Sequence, residues 1–309
     1  MFNCKNLEQK FNKAFLISDT DLDGGGAVTI AKILYPDMDF ATPQRDDIND
    51  TLKEAILSSK YNTILMTDCS PTGEDTIELI NKFVAEGNDF VLLDHHKTAL
   101  ELNKYAWSRV KVETNGHKHS GTELLYLFLK EIGVDVSKFS EFVELVRCYD
   151  TWDWFDKGIQ EAEKLNKLYY FLGLERFIMN IAWKIYNNET LFDKEDDIIL
   201  KTIDSLDNQY IKEHKTMFET IEYDGMKVGV LFTDKCVSQL GNIICRENPE
   251  LDFCCLVDLN KNKCSMRSLV GKADVSVIAK KFGGGGHAQA SGFSLNSKAK
   301  EELLKVLFN

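Results

Sequence analysis

The sequence predicts an α/β protein in which an N-terminal parallel-sheet domain is joined by a helical connector to a smaller mixed α/β domain. Three short apolar runs in the first 100 residues each end beside an aspartate, and stretches with helical spacing of apolar residues separate them. After residue 215, strand-like runs alternate with turn signals. We place the first domain at residues 1–158, the connector at 159–215 and the second domain at 216–309.

The first apolar run, residues 14–17, is followed by three aspartates at alternate positions, Asp19, Asp21 and Asp23. Three glycines and an apolar stretch that predicts a helix come next. Carboxylates this close together repel one another strongly in a low-dielectric site unless cations neutralise them. Because open α/β sheets bind ligands at the carboxyl ends of their strands, we predict a cation-binding site here. A helix cap followed by a turn is the structural alternative for this stretch alone.

The same construction recurs at the next two predicted strands. Residues 62–67 end on Asp68. The third apolar run ends on Asp94, His95 and His96. A helix-like stretch lies between the two runs, and strand, helix and strand together predict a parallel sheet with right-handed crossovers. The acids and imidazoles are therefore expected at one edge of the sheet.

The composition of this cluster favours two divalent cations. Carboxylates with one or two imidazoles suit Mn²⁺, the first candidate, with Mg²⁺ and Co²⁺ as alternatives. Structural zinc is disfavoured because the eight cysteines form no Cys-x-x-Cys pair. The acids exceed what one ion needs. We therefore expect two ions that share a bridging carboxylate and activate a water for attack on a phosphoryl group.

These motifs resemble those of a known family, the DHH phosphoesterases. Its four metal motifs are similar to the Asp-x-Asp-x-Asp-Gly run, the strand-end Asp68, the Asp-His-His run and a later acid, Asp150. The carboxyl end resembles the DHHA1 substrate-binding domain, through Arg267 and a run of four glycines followed by His287. The two resemblances cover most of the chain in the family's order. They imply a DHH domain followed by a DHHA1 domain.

The resemblance also implies a role for each matched residue. One metal would be held by Asp19 and Asp21, the second by Asp23, His95 and Asp150, and Asp68 would bridge them. The catalytic residues would be His96, near the scissile phosphate or the leaving oxygen, and Asp94. The implied substrate-binding residues are Arg267, Gly283, Gly284, Gly285, Gly286, His287 and Ser120. Many members carry His where this chain has Asp19, whereas the RecJ-like exonucleases carry Asp.

The segment before Asp150 contains a capping signal. Ser120, followed three residues later by Glu123, predicts a capping box at the start of a helix. Two histidines just upstream, His117 and His119, lie in a polar stretch and are predicted to be exposed to solvent. The aromatic cluster at residues 152–155 is either a stacking platform for a nucleobase or an anchor in the core.

The second domain opens with a predicted hairpin around Asp224 and Gly225, a strong turn signal. Arg267 is expected on a later strand, where the backbone would hold it rigidly. The predicted elements are strands at 216–223, 226–232, 251–259 and 263–270, and helices at 239–247 and 298–308.

The net charge of −12 argues against a protein that tracks long nucleic acid, which usually presents a large basic surface. A short phosphate-rich substrate fits better, and no binding of long duplexes is expected. The first 30 residues lack a signal-peptide segment, and no apolar run approaches the roughly 20 residues of a membrane span. With cysteines in no paired motif, these features predict a cytoplasmic protein without a membrane partner.

Three functions remain open at this level. The first is a metal-dependent phosphodiesterase or exonuclease that releases mononucleotides from short RNA or DNA oligomers, an activity of the nano-RNase (oligoribonuclease) type. The second is the same chemistry on a cyclic dinucleotide, its linear product or 3′-phosphoadenosine 5′-phosphate. The third is a nucleotide-binding module without turnover, favoured only by Asp19 in place of histidine. The oligomeric state also stays open, and a homodimer is compatible with the sequence.

Overall fold

Two large sheets organise the chain, one in each of the two units into which it divides, Met1–Leu200 and Lys201–Asn309. The structure is a computed structural model and describes residues 11, 13–295, 301–302 and 305–306. The helix predicted at residues 298–308 therefore falls mostly outside the described residues. In the part of the chain that is described, no helix combines the length and the apolar character that crossing a bilayer requires.

The first unit is built on a parallel sheet of four strands. Strand β1 spans Phe15–Ser18, β2 spans Asp39–Ala41, β3 spans Thr63–Thr67 and β4 spans Asp89–Leu93, and they pair in the order β2-β1-β3-β4. Every residue of β3 is buried, as expected where helices cover both faces of a parallel sheet. The three strands predicted from apolar runs are confirmed. The sequence does not predict β2, because its three half-buried residues form no apolar run.

Helices cover the two faces of this sheet. They are α1 (Leu22–Leu34), α2 (Ile48–Leu57), α3 (Glu74–Ala85) and α4 (Gly121–Glu131), with 3₁₀ segments at Arg45–Asp47 and Lys97–Lys104 and a hairpin of β5 (Glu113–Thr114) and β6 (His117–Lys118). Leu16 and Ile17 are neighbours on β1 and pack into different apolar clusters, because successive strand residues point to opposite faces. One cluster contains Val28 of α1, and the other contains Leu52 of α2.

Five helices follow, two of them before residue 158 and three within the predicted connector at residues 159–215. After a 3₁₀ segment at Ser137–Phe139 they are α5 (Ser140–Asp150), α6 (Asp153–Lys157), α7 (Gln160–Leu172), α8 (Leu174–Asn187) and α9 (Lys194–His214). Leu165 of α7 and Phe177 of α8 are buried in the same apolar cluster as Val28. The observed boundary follows Leu200, and the division at residues 158 and 215 stays a prediction.

The second unit contains a mixed sheet of six strands. They are β7 (Glu219–Tyr223), β8 (Met226–Phe232), β9 (Phe253–Asp258), β10 (Lys263–Arg267), β11 (Gly285–His287) and β12 (Ala290–Ser294), in the order β11-β12-β10-β9-β8-β7, with helices α10 (Val237–Glu247) and α11 (Val275–Lys281). Strands β8 and β9 are parallel, and the other neighbours are antiparallel. Asp224 and Gly225 both have positive φ, as a two-residue hairpin turn requires, so the predicted hairpin is confirmed.

Candidate metal centre

Acids from three strands meet at the carboxyl edge of the first sheet. Asp19 follows β1, Asp68 follows β3 and Asp94 follows β4. All three line a cavity of about 1090 Å³, and His96 lines it as well. The structure therefore brings together the strand-end acids that the sequence singles out. This edge is where open α/β sheets bind their ligands.

The glycines after Asp23 allow α1 to begin against this edge. A Cβ atom on Gly24 would lie 2.1 Å from the carbonyl oxygen of Asp19, and one on Gly25 would lie 2.3 Å from the ring of Tyr169. These distances are too short for any side chain. Tyr169, on α7, also donates a hydrogen bond of 2.8 Å to the carbonyl oxygen of Thr20. Only glycine fits between the acidic loop and α7, and the sequence gives no sign of the part that Tyr169 plays.

Asp21 caps α1. Its Oδ1 atom accepts hydrogen bonds from the backbone N–H groups of Asp23 and Gly24, at 3.0 and 3.1 Å. Burial, followed by the neighbouring charge of Asp23, nevertheless raises the pKa of Asp21. A capping bond stabilises the charged form, so the raised pKa shows that burial and the neighbouring acids outweigh this bond. The cap and the acidic site therefore coexist at this residue.

The N-terminus of α4 holds Asp23. This carboxylate is 1% exposed and accepts hydrogen bonds from the backbone N–H groups of Gly121, at 2.5 Å, and Thr122, at 2.9 Å. Unpaired N–H groups and the helix dipole both favour a negative charge at this position. A Cβ atom on Gly121 would lie 2.5 Å from the Cβ atom of Asp68. The start of α4 therefore fixes two acids of the cluster, Asp23 by hydrogen bonds and Asp68 by close packing.

His95 lies at the centre of three carboxylates. Its Nε2 atom is 3.1 Å from Oδ1 of Asp68, 3.5 Å from Oδ2 of Asp150 and 3.7 Å from Oδ2 of Asp23. Burial lowers the pKa of His95, which keeps the imidazole neutral and able to bind a metal. Asp23, His95 and Asp150 each place one ligand atom within 4.8 Å of the others. The set is suited to a hard or borderline divalent ion.

The acids of this cluster repel one another when they are charged. Burial, then the charges of Asp23 and Asp21, raises the pKa of Asp150 to about 8. Asp68 is buried, and the same causes raise its pKa well above the usual range of an aspartate. Its backbone has a φ of 57°, a left-handed conformation that costs a non-glycine residue about 1–2 kcal/mol. A divalent cation would remove the repulsion, so the donors fit a metal site.

Asp94 and His96 form a second arrangement at the same edge. Oδ1 of Asp94 lies 2.7 Å from Nδ1 of His96, and it accepts the backbone N–H groups of His95 and His96. The hydroxyl of Ser70 donates to Oδ2. Burial opposes the charge on Asp94, but its bonds to His96 and Ser70 lower its pKa below the usual value. The same contact raises the pKa of His96, so Asp94 orients an imidazole that can carry a proton. Sequence reasoning misses Ser70.

Ser120 caps α4 rather than facing the cavity. Its Oγ atom accepts the backbone N–H of Glu123 at 3.2 Å, as the capping signal predicts. The reciprocal half of the predicted box is absent among the contacts described, because the carboxylate of Glu123 pairs with His117 and His119. His119 is buried, so the prediction that it is exposed is wrong, whereas His117 is exposed as expected.

The other predicted substrate-binding residues belong to the second unit. Arg267, on β10, donates from Nη2 to the hydroxyl of Ser238 at 2.8 Å. The glycine run leads from α11 into β11, and His287 is an exposed residue at the end of that strand. A Cβ on Gly284 or Gly286 would lie 2.1 or 2.6 Å from the backbone of β12, whereas one on Gly285 would meet open space. Two of these glycines are therefore required by hairpin packing.

Known proteins share sequence or fold with this chain. No protein-family model matches the chain. The chain is 33% identical over 303 residues to the oligoribonuclease NrnB of Bacillus subtilis, a match that covers 95% of this chain and 75% of that protein. A manganese-bound exonuclease RecJ has a similar fold, with a TM-score of 0.55, 15% identity and coverage of 98% of this chain and 91% of that one. RecJ from Thermus thermophilus, in complex with Mn²⁺, gives a TM-score of 0.54 at 16% identity, over 98% of this chain and 53% of that one.

Proposed function

The chain belongs to the DHH/DHHA1 phosphoesterase family that includes the oligoribonuclease NrnB, and on this basis we propose that it is a metal-dependent phosphodiesterase that hydrolyses short oligonucleotides to mononucleotides. One observation carries the proposal. A half-buried imidazole with a lowered pKa lies within 3.7 Å of three carboxylates, two of them with raised pKa, at the ligand-binding edge of a parallel sheet. Divalent cations would stabilise such a cluster, and bound metal ions can activate a water for attack on a phosphate ester.

Two ions are proposed, with Mn²⁺ as the preferred one. Asp19 and Asp21 would hold the first ion, and Asp68 would be shared between both. Support for the second ion comes from His95, whose Nε2 atom faces both Asp23 and Asp150. When bound, the ions supply positive charge for the phosphoryl oxygens and lower the pKa of a bound water. The RecJ structures were determined with Mn²⁺ or Mg²⁺, which fits this preference without deciding between the two.

His96 is proposed to donate a proton to the leaving oxygen. The hydrogen bond to Asp94 fixes the ring and raises its pKa, so the ring remains protonated at higher pH than a free imidazole. The ring lines the cavity, and about half of its surface is exposed to solvent. A positioned acid of this kind contributes on the order of 10²- to 10⁴-fold to a rate. Asp94 acts through His96 and serves to position it.

The substrate is proposed to be short. Arg267, the glycine run and His287 would bind a terminal phosphate, which suits a small ligand better than a long polymer. The net charge of −12 supports this choice, since long nucleic acids require an extended basic surface. Trp152 offers a platform for a base: it is 63% exposed, follows Asp150 by two residues and has a φ of 65°, which is rare for a bulky residue.

Cleavage of a labelled RNA dinucleotide in Mn²⁺ tests the proposal. Wild-type protein should release mononucleotides, and Asp68→Ala should lower the rate at least about 100-fold, because metal ions contribute several kcal/mol. Asp37→Ala removes an exposed acid of the same unit and should retain the activity. If wild type and Asp68→Ala do not differ, the hydrolase assignment is wrong.

A substrate panel separates the open alternatives. Initial rates on RNA and DNA dinucleotides, a cyclic dinucleotide, its linear product and 3′-phosphoadenosine 5′-phosphate should be highest on the RNA dinucleotide. Trp152→Ala should raise KM for dinucleotides, whereas Phe155→Ala, which removes another exposed ring, should not. Binding of nucleotides without turnover of any compound would indicate a non-catalytic module.

A further inference from the structure

A second group of metal-binding side chains lies outside the candidate catalytic centre. It consists of His117 on β6, His119 just after it and Glu123 in the first turn of α4. Nε2 of His117 lies 2.7 Å from Oε1 of Glu123, and Nδ1 of His119 lies 2.7 Å from Oε2 of the same carboxylate. The three residues place one ligand atom each within 4.8 Å of the others. None of them is needed for the proposed hydrolysis.

The backbone holds these side chains on one side of the hairpin and helix junction. His117 and His119 are two residues apart in an extended segment, so their rings point in the same direction. Glu123 is on the helix that starts two residues after His119, and its carboxylate turns back to meet both rings. The ring centroids of the two histidines lie 5.1 Å apart. Ligands on a hairpin and a helix start are fixed more firmly than ligands on a free loop.

The partner of the second nitrogen of His119 also fits a metal ligand. Nε2 of His119 lies 2.9 Å from the hydroxyl of Thr114, on the opposite strand of the hairpin. A histidine that binds a metal through one nitrogen almost always donates its other N–H to a carboxylate, a backbone carbonyl or a water, and the hydroxyl oxygen of Thr114 can accept the same bond. The contact leaves Nδ1 of His119 directed at Glu123. The ring of His119 is therefore oriented as a metal ligand would be, although the sequence predicts that it is exposed to solvent.

Burial and charge favour a cation at this position. His119 and Glu123 are buried, at 7% and 9% exposure, whereas the side chain of His117 is 44% exposed. A buried carboxylate needs hydrogen bonds or a positive partner, and among the described ion pairs Glu123 has only the two histidines, since Arg147 pairs with Glu144 and Asp153. The exposed side of His117 leaves room for a water ligand. Three protein ligands and one water form an open tetrahedral site.

We propose that His117, His119 and Glu123 bind Zn²⁺, at a site separate from the catalytic pair of metals. Two imidazoles and one carboxylate are a ligand set that zinc uses, whereas Mn²⁺ and Mg²⁺ prefer sets dominated by oxygen. Each imidazole would bind the ion through the nitrogen that faces Glu123, and its one proton would be on the other ring nitrogen. The ion would also fix the first turn of α4, whose N–H groups at Gly121 and Thr122 hold Asp23.

Zinc titration of the metal-free full-length chain tests this proposal. The variant His117→Ala removes the exposed ligand and is expected to leave the core intact. Wild type should bind one more zinc ion per chain than His117→Ala, with the count taken by elemental analysis after equilibration at a buffered free zinc concentration. Glu123→Gln should lose the same ion. The control His214→Ala removes an imidazole that stacks on Tyr210 in α9, and it should bind as many ions as wild type.

A second measurement separates a metal ligand from a structural hydrogen bond. Thr114→Val should weaken the affinity for this zinc ion by about 10- to 100-fold, the usual contribution of a partner to a ligating histidine. Wild type and His117→Ala should still cleave the dinucleotide with Mn²⁺, so failure of this proposal leaves the proposed hydrolysis untouched. Equal zinc counts and affinities in wild type, His117→Ala and Glu123→Gln would show that the three residues form only a hydrogen-bond network.

Discussion

Two acids in the candidate catalytic centre, Asp68 and Asp150, destabilise the folded state when they are charged. Asp68 is buried and Asp150 is half-buried, both close to Asp23 and Asp21, and both have a raised pKa. A carboxyl that binds its proton more tightly in the folded state stabilises that state while it is protonated. Its contribution is lost as the pH rises through the folded-state pKa, about 8 for Asp150. The repulsion between these acids at higher pH therefore favours the binding of cations.

The free energy of unfolding of the metal-free protein is therefore expected to fall between about pH 4 and pH 8. At pH 8, addition of Mn²⁺ should restore it, because the ion binds the folded state alone. Urea unfolding monitored by circular dichroism, with and without Mn²⁺, measures both effects. Asp150→Asn serves as the matched variant, and it should flatten the decline with pH. A metal-free protein that gains stability over this range would contradict the interpretation.

The hydrogen bond between Asp94 and His96 makes a separate prediction at the level of a single proton. Since the bond raises the pKa of His96, Asp94→Asn should lower that pKa. If His96 is the acid, activity is lost above its pKa, so the basic limb of the pH profile of kcat should move to lower pH in the variant. His96→Gln should abolish this limb. A basic limb at the same pH in wild type and Asp94→Asn would exclude His96 as the proton donor.

At the scale of elements, the start of α4 contacts both the acidic cluster and the two histidines near the hairpin. Its N–H groups hold Asp23, its glycine packs on Asp68, and its third residue pairs with the two histidines of the hairpin. Sequence reasoning predicts the helix and its Ser120 cap from local signals. It does not predict that Gly121 and Thr122 bind Asp23. They lie 98 and 99 positions from Asp23, and their donors are backbone N–H groups, which leave no pattern in the sequence.

Gly121→Ala tests how strongly these contacts matter. The added methyl would need to occupy space 2.5 Å from the Cβ atom of Asp68, so α4 must shift and release Asp23. We expect weaker Mn²⁺ binding, by at least about tenfold, and a lower unfolding temperature, as overpacking costs on the order of 1–3 kcal/mol. Titration calorimetry and thermal unfolding measure the two effects. Gly285→Ala, which adds a methyl in open space, should change neither quantity. Unaltered Mn²⁺ affinity in Gly121→Ala would show that α4 does not position the ligands.

The strands illustrate why part of the fold is predictable and part is not. Strands β1, β3 and β4 are apolar because both of their faces are buried, and the same burial places their terminal acids at one edge. Strand β2 has no such signal and is fixed only by pairing with β1. Likewise, the burial of His119 depends on Glu123 and Thr114, which come together only after the hairpin and α4 have formed. Local patterns predict elements; the partners of polar side chains come from tertiary structure.

For the whole molecule, charge limits the substrate. The whole chain has a net charge of −12, and its family includes an oligoribonuclease. An acidic protein gains little from contacts along a polymer, so a phosphate-rich substrate must be recognised at its end. We infer that substrate affinity comes from the metal ions and a few groups such as Arg267. Long nucleic acid would add repulsion without adding contacts.

This view predicts a weak dependence of activity on salt and a rate that falls with oligomer length. With one or two phosphate contacts, the slope of log(kcat/KM) against log[salt] should be roughly −0.7 to −1.4, so the rate should drop less than about tenfold between 50 and 200 mM salt. Arg267→Ala should make the slope shallower by about 0.7, since it removes one contact. Lys261→Ala, which removes an exposed charge from the turn after β9, should leave the slope unchanged. The measurement uses labelled RNA of two to twenty nucleotides at constant Mn²⁺. A steep slope, or faster cleavage of the twenty-nucleotide RNA than of the dinucleotide, would mean that the protein binds along the chain, which its acidic surface is predicted to oppose.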